Sequence, residues 1–184
     1  MRFASLLFLL CLAGAVRAEG WPAKPLRMIV PVGAGSTTDI VPRAVVEQLS
    51  VQLGQPIVVE NRSGAGGTIG TGQVAKAEAD GYTILAHGSA HTIAPSLYAN
   101  LAYHPARDFS AVVPLGTSST VLVVSPARGF RTVGDLVAAG KAKPGSLTFS
   151  SVGIGTATHL SAERFRASWL VGLYVINPAK SGLA

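Results

Sequence analysis

The sequence predicts an α/β fold with a parallel sheet flanked by helices, and three observations predict it. Short β-branched runs alternate with longer stretches of helical periodicity. From residue 26 to residue 86 the order is β-α-β-α-β, an order that builds parallel sheets through right-handed crossovers. Three glycine-rich turns each follow a strand-like run and open a helix-like one. In such sheets ligands sit beyond the carboxyl ends of the strands, where these turns lie.

Residues 26–32 (LRMIVPV) read as a buried strand, and residues 38–53 as a helix with Ile40, Val41, Ala44, Val45, Leu49 and Leu53 near one side. Gly54-Gln55-Pro56 stops that helix. Residues 57–60 form a second strand, 61–67 a loop, 68–77 a helix, and 82–86 a third strand after the Asp80-Gly81 turn. A looser region with Pro95 and Pro105 follows over 94–108. Residues 111–113 and 120–124 then read as strands, 133–142 as a helix, 147–151 as a strand, and a last helix begins near Thr156. A change of domain is expected near Asp108. No internal repeat or low-complexity tract is evident.

The N-terminus has the anatomy of a secretory signal peptide. Arg2 is the positive n-region, residues 3–13 are apolar, and Val16-Arg17-Ala18 places small residues at −3 and −1 of a cleavage site. It is too short for a spanning helix. The single cysteine, Cys11, lies inside this segment after Leu10, which disfavours a lipid anchor. A mature chain from residue 19 has no thiol for a disulfide or a thiolate metal site, so an ordinary core must hold it. The formal charge of +6 falls by two when Arg2 and Arg17 are removed. The remaining basic residues are scattered, with no run and no aromatic interleaving, which argues against nucleic acid.

The three turns are Gly33-Ala34-Gly35-Ser36-Thr37-Thr38-Asp39, Ser63-Gly64-Ala65-Gly66-Gly67-Thr68 and Gly153-Ile154-Gly155-Thr156-Ala157-Thr158-His159. Glycine lets consecutive N–H groups converge, and a helix N-terminus adds partial positive charge. Each turn read alone is equally a tight turn with a Ser/Thr cap. Gly33-x-Gly35 after a strand, with Glu60 ending the next, imitates a dinucleotide fingerprint. Thr38 at the third glycine position would crowd helix–strand packing, and an exported protein meets little nicotinamide cofactor. A phosphate loop is excluded because no Gly-Lys-Ser/Thr follows. Pro42 favours Asp39 as the helix N-cap, since Pro42 then falls in the first turn, where a missing N–H is tolerated. Asp39 is expected to tie down the loop rather than touch an anion. His87 and His91 have helical metal-ligand spacing without a third ligand, so no metal is expected. His159 is placed to donate to a ligand or to bond its own loop. Neither a Gly-x-Ser-x-Gly elbow nor a carboxylate pair is present, and no catalytic constellation is expected.

Four phrases, "WPAKPLRMIVPVGAGSTTDIVPRAVVEQL", "GQPIVVENRSGAGGTIGTGQVAKAEADGYTIL", "SLYANLAYHPARDFSAV" and "AKPGSLTFSSVGIGTATHLSAERF", together resemble the periplasmic solute-binding receptors of tripartite tricarboxylate transporters, the Bug-type receptors. The motifs arrive in family order and spacing over about residues 21–166. The resemblance implies a periplasmic, two-domain Venus-flytrap α/β fold that closes on a small carboxylate and delivers it to a membrane permease. It implies no cofactor and no enzymatic activity. A sensor kinase is an alternative membrane partner, and the receptor is expected to be a monomer.

By that resemblance the first loop binds a carboxylate through Val32, Gly33, Gly35, Ser36, Thr38 and Asp39. Gly64, Ala65, Gly66 and Gly67 line the same cleft, as do Ser89, Ala90 and His91. Gly155, Thr156, Thr158 and His159 close over the other end. Ser36 departs from a common glycine, and Pro42 from a common alanine. After Ala167 the family continues into a strand and a long second half, whereas this chain reads "SWLVGLYVINPAKSGLA". The expected organisation is a signal peptide at 1–18, half of a first domain at 19–107, the start of a second at 108–167, and a divergent tail at 168–184. Such an incomplete receptor is expected to bind poorly or not at all. The competing readings are a fragment of a nicotinamide-dependent oxidoreductase and a ligand-independent interaction protein on the same scaffold.

Overall fold

The computed structural model describes residues 20–176; the expected signal peptide lies outside them, as does the end of the expected tail. Strands β1 (Leu26–Val30), β2 (Ile57–Asn61) and β3 (Thr83–Leu85) form one parallel sheet in the order β2-β1-β3. Leu26 pairs with Ile57 and Val30 with Asn61 on one side; Arg27 pairs with Thr83 on the other. The central strand β1 is the near-continuous apolar run that a parallel strand covered on both faces requires, and Leu26, Ile29 and Val30 are fully buried.

Helices α1 (Thr37–Leu53), α2 (Thr68–Ala75) and α3 (Ala90–Leu97) connect and follow these strands. Leu26, Met28 and Val30, two apart and so on one face of the pleat, pack with Val46 of α1 and with Leu49 and Leu53 below it. Helix α2 lies against β1 and β3. The first crossover therefore moves outward from β1 to β2, and the second returns past β1 to β3. That reversal makes the gap between the carboxyl ends of β1 and β3 a topological switch point, where a crevice opens between loops leading to opposite sides.

A second, two-stranded parallel sheet pairs β4 (Leu147–Ser150) with β5 (Leu173–Ile176). Helix α4 (Val133–Ala142) precedes β4, and α5 (Ala157–Trp169) crosses between the two strands. Thr132 and Asp135 form a reciprocal capping box at the start of α4, which fixes where that helix begins. Leu136, Val137, Leu147 and Val171 are its buried apolar residues.

Several sequence expectations are corrected. Helix α1 begins at Thr37 with Ser36 as N-cap, so Asp39 is the third helical residue and Pro42 the sixth. Pro42 thus removes a real helical hydrogen bond, and its burial offsets part of that loss. The looser region at 94–108 begins inside α3, whose Pro95 hid the helix. Residues 111–113 and 120–124 form no strand; Val112, Val113, Val121 and Val123 are exposed and have no ladder partner among the described residues. β-branched composition fits a strand only where a neighbour supplies hydrogen bonds. Within the tail that begins at residue 168, Leu173–Ile176 form β5.

Two glycines of α2 distinguish close packing from mere propensity. A Cβ at Gly70 would lie 2.5 Å from the Arg62 carbonyl oxygen and 3.0 Å from Pro31 Cβ, whereas one at Gly72 would meet only Tyr103 Cδ1 at 3.7 Å. Alanine is the better helix former by ~1 kcal/mol, yet it cannot displace a backbone carbonyl. Gly70→Ala is expected to destabilise the protein by ~1–3 kcal/mol, while Gly72→Ala is expected to be neutral or stabilising. Thermal unfolding followed by circular dichroism separates them; equal shifts would contradict this packing.

Candidate functional site

The loop after β1 turns at Gly35, whose φ of +83° is open to glycine without strain. Its shape is fixed by Asp39, 2% exposed. Asp39 Oδ2 accepts the Gly35 N–H at 2.9 Å, while Oδ1 accepts Asn61 Nδ2 at 2.8 Å and Arg43 Nε at 2.9 Å. Asn61 Nδ2 also donates to the Val32 carbonyl at 3.1 Å. The Gly35 N–H, then Asn61 and Arg43, hold the Asp39 carboxyl below its usual range against the opposing effect of burial. Asp39 and the Gly35 N–H are consequently unavailable to a ligand: of the expected binding residues, these two shape the loop. Ser36 likewise donates its hydroxyl to the Gly33 carbonyl at 3.2 Å.

What remains outward is neutral. No partner among the described residues takes the N–H of Gly33, Ala34, Ser36, Thr37 or Thr38, and Gly33 and Ala34 are exposed. These groups, at the N-terminus of α1, make a place suited to an anion. The cations that flank the loops in sequence are occupied. Arg43 pairs with Asp39, and Arg62 shares Glu60 with Arg27. Those two guanidinium groups hold the Glu60 carboxyl down to about 2. With both oxygens so engaged, Glu60 is not presented to a ribose, and the dinucleotide imitation fails at its acidic residue.

The second loop comes over the crevice. Gly64, Gly66 and Gly67 all have positive φ, and the turn at Ala65–Gly67 leads directly into α2. Gly67 is buried and its N–H is taken by the Gly64 carbonyl, so it serves close approach and not ligand contact. A Cβ there would lie 3.0 Å from His87 Nε2 and 3.2 Å from the Pro31 carbonyl oxygen. From the third loop, a Cβ at Gly88 would lie 3.6 Å from Thr38 Oγ1. The three loops therefore meet at the switch point, with Ser89 and Ala90 at the start of α3 beside them.

The fourth loop, between β4 and α5, faces the same place. A Cβ at Gly66 would lie 2.8 Å from the Ile154 carbonyl oxygen, and one at Gly155 would lie 2.6 Å from Leu97 Cδ1. Thr156 caps α5 and donates its hydroxyl to the Gly153 carbonyl at 2.7 Å. Thr158 Oγ1 lies 3.1 Å from Thr156 Oγ1. His159 Nδ1 accepts the Gly155 N–H at 3.3 Å, so that histidine bonds its own loop.

His91 is corrected more firmly. Its Nε2 lies 3.1 Å from the Pro105 carbonyl, and its ring stacks on Tyr103 and meets Phe109 edge-on. It braces the 103–109 loop rather than facing the cleft. Sequence reasoning missed two other residues. Asn61 ties the end of β2 to the first loop, and only its place at the strand's end could have signalled this. His87 lies where the third loop meets the second, and its spacing to His91 had drawn attention only as a metal pattern. Among the described residues no group of three His, Cys, Asp or Glu is arranged to hold a metal. Two grooves of about 360 and 480 Å³ lie beside Tyr98 and Leu101, away from the outward amides; the donors, and not the volume, mark the site.

A sequence profile described as the tripartite tricarboxylate transporter family receptor matches residues 41–178, past Ala167. Protein BugT of Bordetella pertussis is 40% identical over 157 residues, 84% of this chain and 48% of that protein. A Rhodopseudomonas palustris protein solved with adipate superposes with a TM-score of 0.75 at 31% identity, over 85% of this chain and 53% of that one. MatC of the same organism, solved with bound malate, gives a TM-score of 0.76 at 26% identity, over 85% and 54%. The chain spans about half the length of the curated relatives it matches. Its α/β fold is that of the periplasmic binding proteins, covered in part.

The pin at Asp39 can be tested apart from any ligand. Asp39→Asn keeps the shape but removes the charge that Arg43 and the Gly35 N–H face. We expect a loss of ~1–3 kcal/mol, the scale of a buried hydrogen bond to a charged group. Because folding lowers the Asp39 pKa, its contribution is present above the unfolded value of 3.8 and disappears as pH falls below it. Urea unfolding should show a wild-type advantage that is constant from about pH 5 to 8 and closes in acid; an advantage that persists there would exclude the charge as its origin.

Proposed function

Because the chain belongs to the tripartite tricarboxylate transporter receptor family, we propose that it supplies the ligand-holding loops of an exported receptor for small carboxylates. The observation that carries this reading is the convergence of outward, unpartnered amides at the switch point with the flanking cations already paired. Such a site holds a carboxylate by N–H and hydroxyl donors and tolerates variation beyond it, directly or through water. Adipate and malate in the related structures support the same chemical class. The donors we assign are Val32, Gly33, Ser36, Thr38, Ser89 and Ala90 on one wall, with Gly64, Ala65 and Gly66 at its edge. Thr158 and His159 close from the other wall, where Gly155, its N–H taken by His159, and Thr156, its N–H and hydroxyl taken by the Gly153 carbonyl, shape the turn.

The reading places the protein in the periplasm, with a membrane permease of a tripartite transporter, or a sensor kinase, as the partner that collects the ligand. It divides the chain near residue 108 into two lobes and assigns it no cofactor and no reaction. Because Gly33, Ala34 and Ser89 are exposed, a ligand on these loops stays open to water on one side. Binding on the order of millimolar is therefore expected.

Isothermal titration of the purified protein with malate, adipate and succinate tests this, with the corresponding dimethyl esters as controls. Saturable heats with at least one acid and none with its ester are expected. Equal response to acid and ester, or no saturable response to any of the three acids, would overturn the proposal, and saturable binding of reduced nicotinamide cofactor would favour the oxidoreductase reading instead.

A further inference from the structure

The loop after β3 carries a side chain that the carboxylate reading has not used. His87 follows buried Ala86 at the carboxyl end of β3, on the β3 side of the switch point. Its Nδ1 accepts the Gly88 N–H at 2.8 Å. A backbone N–H can only donate, so Nδ1 must carry the lone pair and the ring proton must sit on Nε2. This leaves Nε2–H as a donor with no partner among the described residues and not wholly closed from solvent.

Position strengthens the point. Nε2 lies beside Gly67, where a Cβ would come within 3.0 Å of it, and beside the Pro31 end of the first loop. Any larger residue at 67 would cover the nitrogen. The adjoining Gly88 is held against Thr38 Oγ1, so the ring sits between the first and second loops. We propose that His87 is a further ligand-binding residue of this cleft, a neutral imidazole whose Nε2–H donates to a carboxylate oxygen of the bound acid beside the amides of the first loop. This rests on the carboxylate-receptor reading above.

The chemistry of the ring fits that role. Burial, and then the neighbouring His91 ring at 5.6 Å, push the His87 pKa down to about 4, so the side chain remains a neutral donor throughout the pH range in which small carboxylates are ionised. Like the amides, it offers a hydrogen bond without a fixed charge. Unlike them, it is a side chain, so it can differ between receptors and set which acid is preferred.

The test compares wild type with His87→Gln, whose amide NH₂ reaches close to the Nε2 position, and His87→Leu, which fills the space without a donor. Titration with malate and adipate should show His87→Gln within about threefold of wild type and His87→Leu weaker by ~tenfold or more, as for a lost hydrogen bond to a charged group. Long-range ¹H–¹⁵N NMR of the wild-type imidazoles should show His87 as the Nε2–H tautomer, with that nitrogen shifting as acid is added. Unchanged affinity in His87→Leu, an Nδ1–H tautomer, or an Nε2 signal unmoved at saturation would each overturn the role of His87 while leaving the receptor intact. Failure of the wild type to bind any of malate, adipate and succinate would remove the receptor reading itself, a result visible before any variant is made. If His87→Leu does not fold, the glutamine variant and the NMR signal decide.

Discussion

Everything at this site depends on the burial of one carboxylate. Asp39 sits in the first turn of α1 and faces backward, where it gathers the Gly35 N–H, the Asn61 amide and the Arg43 guanidinium. Each partner belongs to a different part of the sheet's upper edge: the first loop, the end of β2 and the body of α1. A buried acid with one partner would be a liability, because desolvation opposes its charge. With three donors it becomes a fastener. It converts a glycine loop, which is otherwise free to sample many shapes, into a fixed frame.

That fastening sorts the polar groups into two sets. The charged ones are spent on each other: Asp39 with Arg43, and Glu60 with Arg27 and Arg62. The neutral ones, chiefly the N–H groups of Gly33, Ala34, Ser36, Thr37 and Thr38, have no partner among the described residues. An anion arriving there meets aligned dipoles that need no reorganisation, and no counter-charge must be stripped of its own partner first. The topology makes the arrangement possible, since β1 and β3 send their loops to opposite sides and leave the gap that the Gly64–Gly67 turn then roofs.

Much of this was legible in the sequence, though unevenly. Alternation of Leu26–Val30 with the amphipathic run to Leu53 gave the first βα unit almost to the residue, and the helix Val133–Ala142 was expected at its observed bounds, although the capping box that fixes its start was not read. Asp39 was readable as a loop fastener because a carboxylate near a helix start has few better partners than free amides. Its place at the third helical position was not readable, because Pro42 argued locally for a later start. Tertiary burial of that proline overrode the local preference. Pro95 misled in the same way at α3. The valine-rich segments at 111–113 and 120–124 have strand composition without a pairing neighbour among the described residues, and composition cannot report on neighbours. The two histidines show the limit most clearly. Spacing linked His87 and His91 as equals, whereas one braces a loop through Pro105 and the other turns its free nitrogen toward Gly67.

The separation of charge from recognition has a consequence for how such a site discriminates. An unpaired cation would attract any anion strongly and would distinguish poorly among acids of equal charge. Neutral donors gain less from each contact, so they reward only an acid whose oxygens fall where the donors point. Selectivity then moves to geometry, to the span between the wall built by the β1 and β3 loops and the Gly155–His159 turn that opposes it. In this chain both sides of that span are set by intramolecular hydrogen bonds, Asp39 to Gly35 on one and His159 to Gly155 on the other. Each joins a helical residue to a glycine N–H four positions earlier. The same local solution thus appears on both walls, once with a carboxylate and once with an imidazole.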